Sequence, residues 1–285
     1  MNTQQGKLAT LLARRSFTEL NARQRAHALL DPGSGRELLD PFERLMSPWL
    51  GAQQIVPQAD DGVVVLKGRL AGASTVVLSI EGAFQGGSLG EVGGAKIAGA
   101  LELAAADNRR GVATQAVLLL ESGGVRLQEA NLGLAAIAEI HAAIVDLTRY
   151  RPVIGVIAGP VGCFGGMSIA AALCSYLLVT REARLGLNGP QVIEQEAGVL
   201  EYDSRDRPFI WSLTGGEQRF ATGFADHYLE DDCDTVRQAV IHCCGLPLPA
   251  TPRYARSKYF LSKLASLDPA QQADSQGARA LFSQE

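Results

Sequence analysis

The chain is predicted to be an α/β protein on a mainly parallel sheet. One unit recurs three times along it, an apolar strand followed by a glycine-rich turn and a helix of small and apolar residues. Strands that alternate with helices are what parallel pairing requires, because parallel neighbours need long crossovers. At 285 residues with 47% hydrophobic content, the chain can build a sizeable core. Periodicity alone leaves a doubly wound sheet and a spiral sheet equally open.

In chain order, Ser16-Phe17-Thr18-Glu19 fits a capping box that opens a helix toward Leu30, and Asp31-Pro32-Gly33-Ser34-Gly35 stops it. Residues 1–56 therefore read as an N-terminal helical arm. Val63 to Lys67 and Ser74 to Ile80 are β-branched runs joined by a glycine-containing stretch, as paired strands are. The recurring units follow. The first joins strand Val76–Ile80, loop Glu81–Gly87 and a helix from about Ser88 to Asn108. The second joins Ala116–Glu121, Ser122-Gly123-Gly124 and a helix from about Glu129 to Arg149. The third joins Val153–Ala158, Gly159–Phe164 and a helix from about Gly165 to Cys174. A fourth strand is expected near Tyr176–Thr180, and Pro190 suits the first turn of a short helix carrying Gln191 to Glu196. The main domain is placed at 57–245, and Leu246-Pro247-Leu248-Pro249 opens a polar extension, 246–285, read as a linker or partner-wrapping tail with one weak helix.

Composition narrows the function. A net charge of −4 gives no general attraction to nucleic acid or to an anionic membrane. No apolar run reaches the length of a bilayer span, and the first residues lack the apolar stretch of a signal peptide, so a cytoplasmic protein is expected. Five cysteines without a C-x-x-C pair argue against a disulfide framework and a zinc ribbon, and four scattered histidines offer no ligand spacing, so no metal site is expected.

The most informative feature is the pair of glycine turns, Ser122-Gly123-Gly124-Val125 and Gly159-Pro160-Val161-Gly162-Cys163-Phe164-Gly165-Gly166. Each follows a buried strand and leads into a helix. Glycine lets backbone N–H groups face a ligand unobstructed, and a helix N-terminus adds partial positive charge. Taken singly, each turn is equally an ordinary strand-to-helix connection. Together, on neighbouring strands, they are placed to aim two donors at one oxygen. Neither has the Lys-Ser/Thr ending of a P-loop or a G-x-G-x-x-G spacing. Gly86-Gly87-Ser88-Leu89-Gly90 matches the nucleophile elbow G-x-S-x-G, but the loop Glu81 to Gly87 separates Ser88 from its strand, which such an elbow forbids. Lys96, Arg126 and Arg109 are candidates for anion contact, weighed against a solvated face for each. Cys163 reads as a small neutral residue and His141 as a packed or surface histidine rather than a proton donor.

Several ordered strings resemble the carboxyltransferases. Glu81 to Gly90 with Lys96-Ile97 resembles the loop and helix of the acetyl-CoA carboxylase carboxyltransferase beta subunit. Ser122-Gly123-Gly124-Val125-Arg126-Leu127-Gln128-Glu129 is similar to that family's SGGARMQEG turn, and Gly189-Pro190-Gln191-Val192-Ile193-Glu194-Gln195 to its GPRVIEQ segment. Ala22-Arg23-Gln24-Arg25 and Leu29-Leu30-Asp31-Pro32-Gly33-Ser34 resemble the first helix of acyl-CoA carboxyltransferases, so that the likeness runs over about residues 14 to 245. The missing four-cysteine zinc ribbon and the Arg15-Ser16-Phe17 start are closer to the beta subunit of biotin-independent malonate decarboxylase.

That resemblance implies a crotonase-like spiral of repeated ββα units with the helical arm in front. It implies a carbon–carbon lyase subunit that turns malonyl-S-acyl carrier protein into the acetyl form and CO2, alongside a homologous gamma subunit, an acyl carrier protein and an acyl carrier transferase subunit. The substrate rides on the carrier's CoA-derived thiol, and neither biotin nor any cofactor bound directly to this chain is expected. By analogy with crotonase oxyanion holes, Gly123, Gly124, Val125, Gly165 and Gly166 are the catalytic candidates. Gly86, Gly87, Ser88, Lys96 and Arg126 are the substrate-binding ones. The runner-up is a carboxyltransferase beta-type subunit of a biotin-dependent acyl-CoA carboxylase, and a non-catalytic scaffold completing a partner's pocket is a third reading. Hydratases of this fold place an acidic residue after the second turn, where Met167-Ser168 stands instead.

Overall fold

The computed structural model describes residues 13–267 and 274–283. Its frame is a seven-stranded sheet: β1 (Arg36–Leu38), β2 (Val63–Leu70), β3 (Ala73–Ile80), β4 (Gln115–Leu119), β5 (Val153–Ile157), β6 (Tyr176–Thr180) and β7 (His227–Leu229). Spatial order equals chain order, β1 to β7. The first three strands pair antiparallel and β3 through β7 run parallel. A doubly wound sheet reverses its strand order partway. This one never does, so the spiral arrangement holds.

Helices α1 (Ala22–Leu29), α2 (Glu91–Arg109), α3 (Asn131–Leu147) and α4 (Gly166–Leu173) form around this sheet. Each parallel crossover carries its helix to the same face, as a constant handedness of connection demands when every strand is added on one side. There α2, α3 and α4 bury Ile97, Leu101, Ile140, Ile144 and Met167 against Val65, Leu78 and Leu118. Alternate residues of the same strands, Val64, Leu66, Val77 and Val117, face the opposite side. That side is covered by α1 and by α8 (Cys233–Gly245), with Leu29, Val236 and Val240 in contact with it. Between β6 and β7 lie three short helices, α5 (Pro190–Ala197), α6 (Arg207–Thr214) and α7 (Gly216–Ala221). Pro190 occupies the first turn of α5 as expected.

Beyond the main sheet runs a second, shorter ladder. Leu89 bridges Val125, Ser122 bridges Cys163, and Cys163 bridges Leu185, all parallel, and Arg184 bridges Gly215 antiparallel. The loops that read as glycine turns thus contribute a second extended segment between each main strand and its helix. That completes the ββα unit.

Three features depart from the sequence reading. The helix expected from Ser16 starts at Ala22, where Asn21 and Gln24 form the capping box. Ser16 still accepts the Glu19 N–H (3.1 Å), but its hydroxyl donates to Asp231 (2.5 Å), which pins the chain to the far end of the sheet instead of opening a helix. Residues 1–56 are not purely helical either, since Arg36–Leu38 pairs with β2 as an edge strand. The segment after Pro249 folds back onto the body. It forms α9 (Ser257–Ala265) and α10 (Ser275–Ser283), and the buried Phe260 stacks on Phe224 with ring centroids 4.3 Å apart and lies 5.5 Å from Phe282. A few aromatics in a polar tail outweigh its average composition.

Candidate active site

At the carboxyl ends of β4 and β5 the two glycine bends touch. Gly124 has φ +105° and Gly165 has φ +57°, backbone states that side chains rarely adopt. A Cβ on Gly124 would lie 3.0 Å from the Phe164 carbonyl oxygen and 3.1 Å from Gly165 Cα. Conversely, a Cβ on Gly165 would lie 3.2 Å from Gly124 Cα and 3.8 Å from the Val125 nitrogen. Each bend is held by its neighbours in the short ladder. Ser122 N–H donates to Gly162 O (2.7 Å) and Phe164 N–H to Ser122 O (2.9 Å).

Accounting for the amides in these bends sorts the candidates. Gly123 N–H donates to Gly86 O (2.9 Å) and Gly165 N–H to Leu187 O (2.7 Å). Gly124 N–H donates to the Ser122 hydroxyl (3.1 Å), which itself donates to Gly87 O (2.7 Å). For Val125 N–H and Gly166 N–H no acceptor is found among the described residues, and both residues are partly exposed. Of the five residues singled out from the sequence, Gly123, Gly124 and Gly165 shape the bends, and Val125 and Gly166 hold the free donors. Each free donor belongs to a peptide whose carbonyl is anchored. Gly124 O accepts from Leu89 N–H (2.8 Å), and Gly165 O accepts from both the N–H (3.0 Å) and the hydroxyl (2.7 Å) of Ser168. Hydrogen bonding at the carbonyl polarises the peptide and strengthens its N–H as a donor. Gly166 is also the first residue of α4, where the helix adds partial positive charge.

The substrate-binding candidates divide in the same way. Gly86 is exposed, Gly87 and Ser88 lie beside it, and the carbonyls of Gly86 and Gly87 support the first bend. Ser88 is no nucleophile: β3 ends at Ile80, and the Ser88 hydroxyl donates to Gln85 O (2.8 Å). Lys96 and Arg126, expected to bind substrate, both turn inward in this chain. Lys96 is buried, donates to the carbonyls of Asp60 (2.9 Å) and Val63 (2.6 Å), and is lowered from its ordinary pKa by burial. Arg126 is 0% exposed and pairs with Asp61 (2.7 Å) and Glu129 (3.0 Å) beneath the Phe84 ring. Burial pushes the Asp61 carboxyl up even beside Arg126. At Glu129 burial is outweighed by bonds from Ser47, the Glu91 N–H and Arg126, and that carboxyl lies below its usual range. Both carboxylates also receive N–H groups from the first turn of α2, Gly93 to Asp61 (2.7 Å) and Glu91 to Glu129 (2.7 Å). The cluster therefore caps the helix behind the first bend, and the Arg126 charge is spent on the two carboxylates. Arg109 lies at the other end of α2, whose 19 residues span about 28 Å, and pairs with Asp146.

Cys163 is fully buried and burial raises its thiol well above the ordinary value, so it stays protonated. His141 bonds through Nε2 to Gly166 O (2.8 Å), the carbonyl of the peptide that follows the donor. No group of three or more His, Cys, Asp or Glu residues fit to hold a metal ion is present among the described residues. No described helix is long and apolar enough to cross a membrane. Sequence reasoning missed Ser168, Phe164 and Leu187, whose parts are played by one hydroxyl and by backbone groups.

Comparison with known proteins agrees with this geometry. Residues 14–276 match the model of the carboxyl transferase domain family. The malonyl-S-ACP:biotin-protein carboxyltransferase of Malonomonas rubra is 35% identical over 257 residues, 87% of this chain and 81% of that protein. A chain of a Pseudomonas malonate decarboxylase hetero-tetramer, solved with malonate, is 73% identical with a TM-score of 0.93, over 96% of this chain and 100% of that one. A chain of the Pseudomonas malonate decarboxylase MdcD-MdcE hetero-dimer is 65% identical with a TM-score of 0.76, over 90% and 99% respectively.

Replacing Gly124 by Ala is expected to strain the backbone by about 1–3 kcal/mol and to push the bends apart. Turnover should fall by roughly a hundredfold or more, measured by steady-state kinetics on the folded variant. Arg126→Met leaves two buried carboxylates without their cation and is expected to cost about 3–5 kcal/mol in urea unfolding.

Proposed function

We propose that this chain, a member of the carboxyl transferase domain family, is a malonate decarboxylase subunit that holds a malonyl thioester while it loses CO2. The observation that carries the reading is the pair of unclaimed N–H groups, Val125 and Gly166, on two bends in van der Waals contact. Decarboxylation sends the electron pair of the breaking C–C bond into the thioester carbonyl, and negative charge builds on that oxygen as an enolate. Fixed backbone donors stabilise such charge without reorganising, and removal of one typically costs ~3–4 kcal/mol of barrier. The lost group departs as neutral CO2, so a lysine or arginine ion-paired to the carboxylate would favour the ground state. With Lys96 and Arg126 withdrawn into the protein, the reading requires neither. Gly86, Gly87 and Ser88 are assigned to flank the thioester. The carbanion carbon finally takes a proton from water or from a group on the partner.

The partner is a homologous carboxyltransferase subunit, and the substrate arrives on the thiol arm of an acyl carrier protein loaded by a transferase subunit. Bare apolar side chains rim the bends: Leu127 is 84% exposed, Leu187 62% and Leu134 57%. Such a patch is the signature of a surface covered in the assembled protein. The reaction is assigned to the cytoplasm, where five free cysteines remain reduced. The name of the Malonomonas relative favours a second reading, transfer of the carboxyl group to a biotin protein, which would use the same enolate and differ in the fate of CO2.

Reconstituted with its partner subunit, the chain is expected to release CO2 from malonyl carrier protein, and alone to do little. Insensitivity to avidin separates this from the biotin-dependent reading, and full activity of the isolated chain would contradict a shared site. Leu187→Asp is expected to weaken assembly by at least tenfold in sedimentation or light scattering, since burial of a carboxylate costs several kcal/mol, with the fold of the free chain unchanged.

A further inference from the structure

Behind the two bends lies an ion pair to which the proposed reaction as described gives no part. Glu121 is the residue immediately before Ser122, so its backbone leads into the first bend. Its side chain turns toward the second. Oε1 accepts the Gly162 N–H (3.0 Å), and the carboxylate lies so close over Gly159 that a Cβ there would overlap it. Gly162 O in turn accepts Ser122 N–H (2.7 Å), which closes a loop of contacts between the bends around Glu121. The carboxylate is matched by Arg25 at 2.7 Å, with the two side chains only 8% and 5% exposed. Arg25 comes from α1 and is itself anchored, with Nε on Phe17 O (3.0 Å) and Nη2 on Thr18 O. Thr18 in turn donates its hydroxyl to Ala158 O (3.1 Å), at the end of β5.

We propose that Glu121 and Arg25 form a positioning pair for the decarboxylation assigned above, and the proposal rests on that assignment. Glu121 sets the distance between the bends that carry Val125 N–H and Gly166 N–H. Arg25 fixes the carboxylate and cancels its charge, which would otherwise oppose the negative charge growing on the enolate oxygen. The N-terminal segment is thereby part of the catalytic apparatus without touching substrate. It reaches the site through one carboxylate whose backbone and side chain belong to different bends.

The test uses the assembled complex. Glu121→Asp keeps the charge but withdraws it from Gly162, and is expected to lower kcat roughly ten- to a hundredfold with KM within about threefold of the original, since the substrate-contacting groups stay in place. Arg25→Gln, which leaves the buried carboxylate bare, is expected to lose kcat similarly. Combining Arg25→Gln with Glu121→Gln keeps an oxygen acceptor for Gly162 while removing the unpaired charge, and should recover most of the turnover lost in Arg25→Gln. Hydrogen exchange at residues 159–166 should rise selectively in Glu121→Asp, with amides of β4 and α3 still protected. The proposal is overturned if Glu121→Asp keeps its kcat, if the loss falls on KM, or if exchange rises evenly through the sheet with kcat per folded molecule unchanged. An unaltered complex that does not decarboxylate malonyl thioesters sinks the functional assignment instead, and the exchange measurement still decides whether Glu121 holds the bends.

Discussion

The contact between Gly124 and Gly165 is the constraint on which the rest of the structure turns. Two strand-to-helix connections can approach this closely only when neither carries a side chain, and each φ, +105° and +57°, is one that glycine accepts and other residues resist. Close approach brings their amides into one small volume. The short ladder through Leu89, Ser122, Cys163 and Leu185 then consumes most of the backbone groups nearby. Among the described residues, the Val125 and Gly166 N–H groups stay without an acceptor, and the proposed chemistry rests on these two donors.

Charged groups behind the bends serve architecture. Arg126 is shared by Asp61 and Glu129 inside the protein, and the two carboxylates also receive N–H groups from the first turn of α2. Arg25 and Glu121 join the first helix to both bends. Each buried charge is expensive unless paired, so these clusters hold their surroundings in one arrangement.

The repeating strand, glycine turn and helix were legible in the chain because periodicity and glycine position are local properties. The expected strands Ser74–Ile80, Val153–Ala158 and Tyr176–Thr180 agree with the observed limits to within a residue, whereas the limit Val76 taken for the first repeat lies three residues inside its strand. Local signals failed where partners are distant. Ser16 looked like a helix cap, but its hydroxyl is taken by Asp231, more than two hundred positions away in the chain. Arg36–Leu38 is too short to announce itself and is a strand only because β2 pairs with it. The polar tail folds back because Phe260 finds Phe224.

For the site, the amino-acid order determined which residues lie in the two bends and that each opens a helix, since glycine spacing and strand ends are written along the chain. Tertiary structure decided which amides in those bends are free, and it decided that Lys96 and Arg126 turn inward while Glu121 spans both loops. Hydrogen-bond partners and burial depend on segments brought together by the sheet. A charged side chain has the same local pattern whether it meets substrate or an internal carboxylate, and only the fold supplies the partner that makes one of these the lower in free energy.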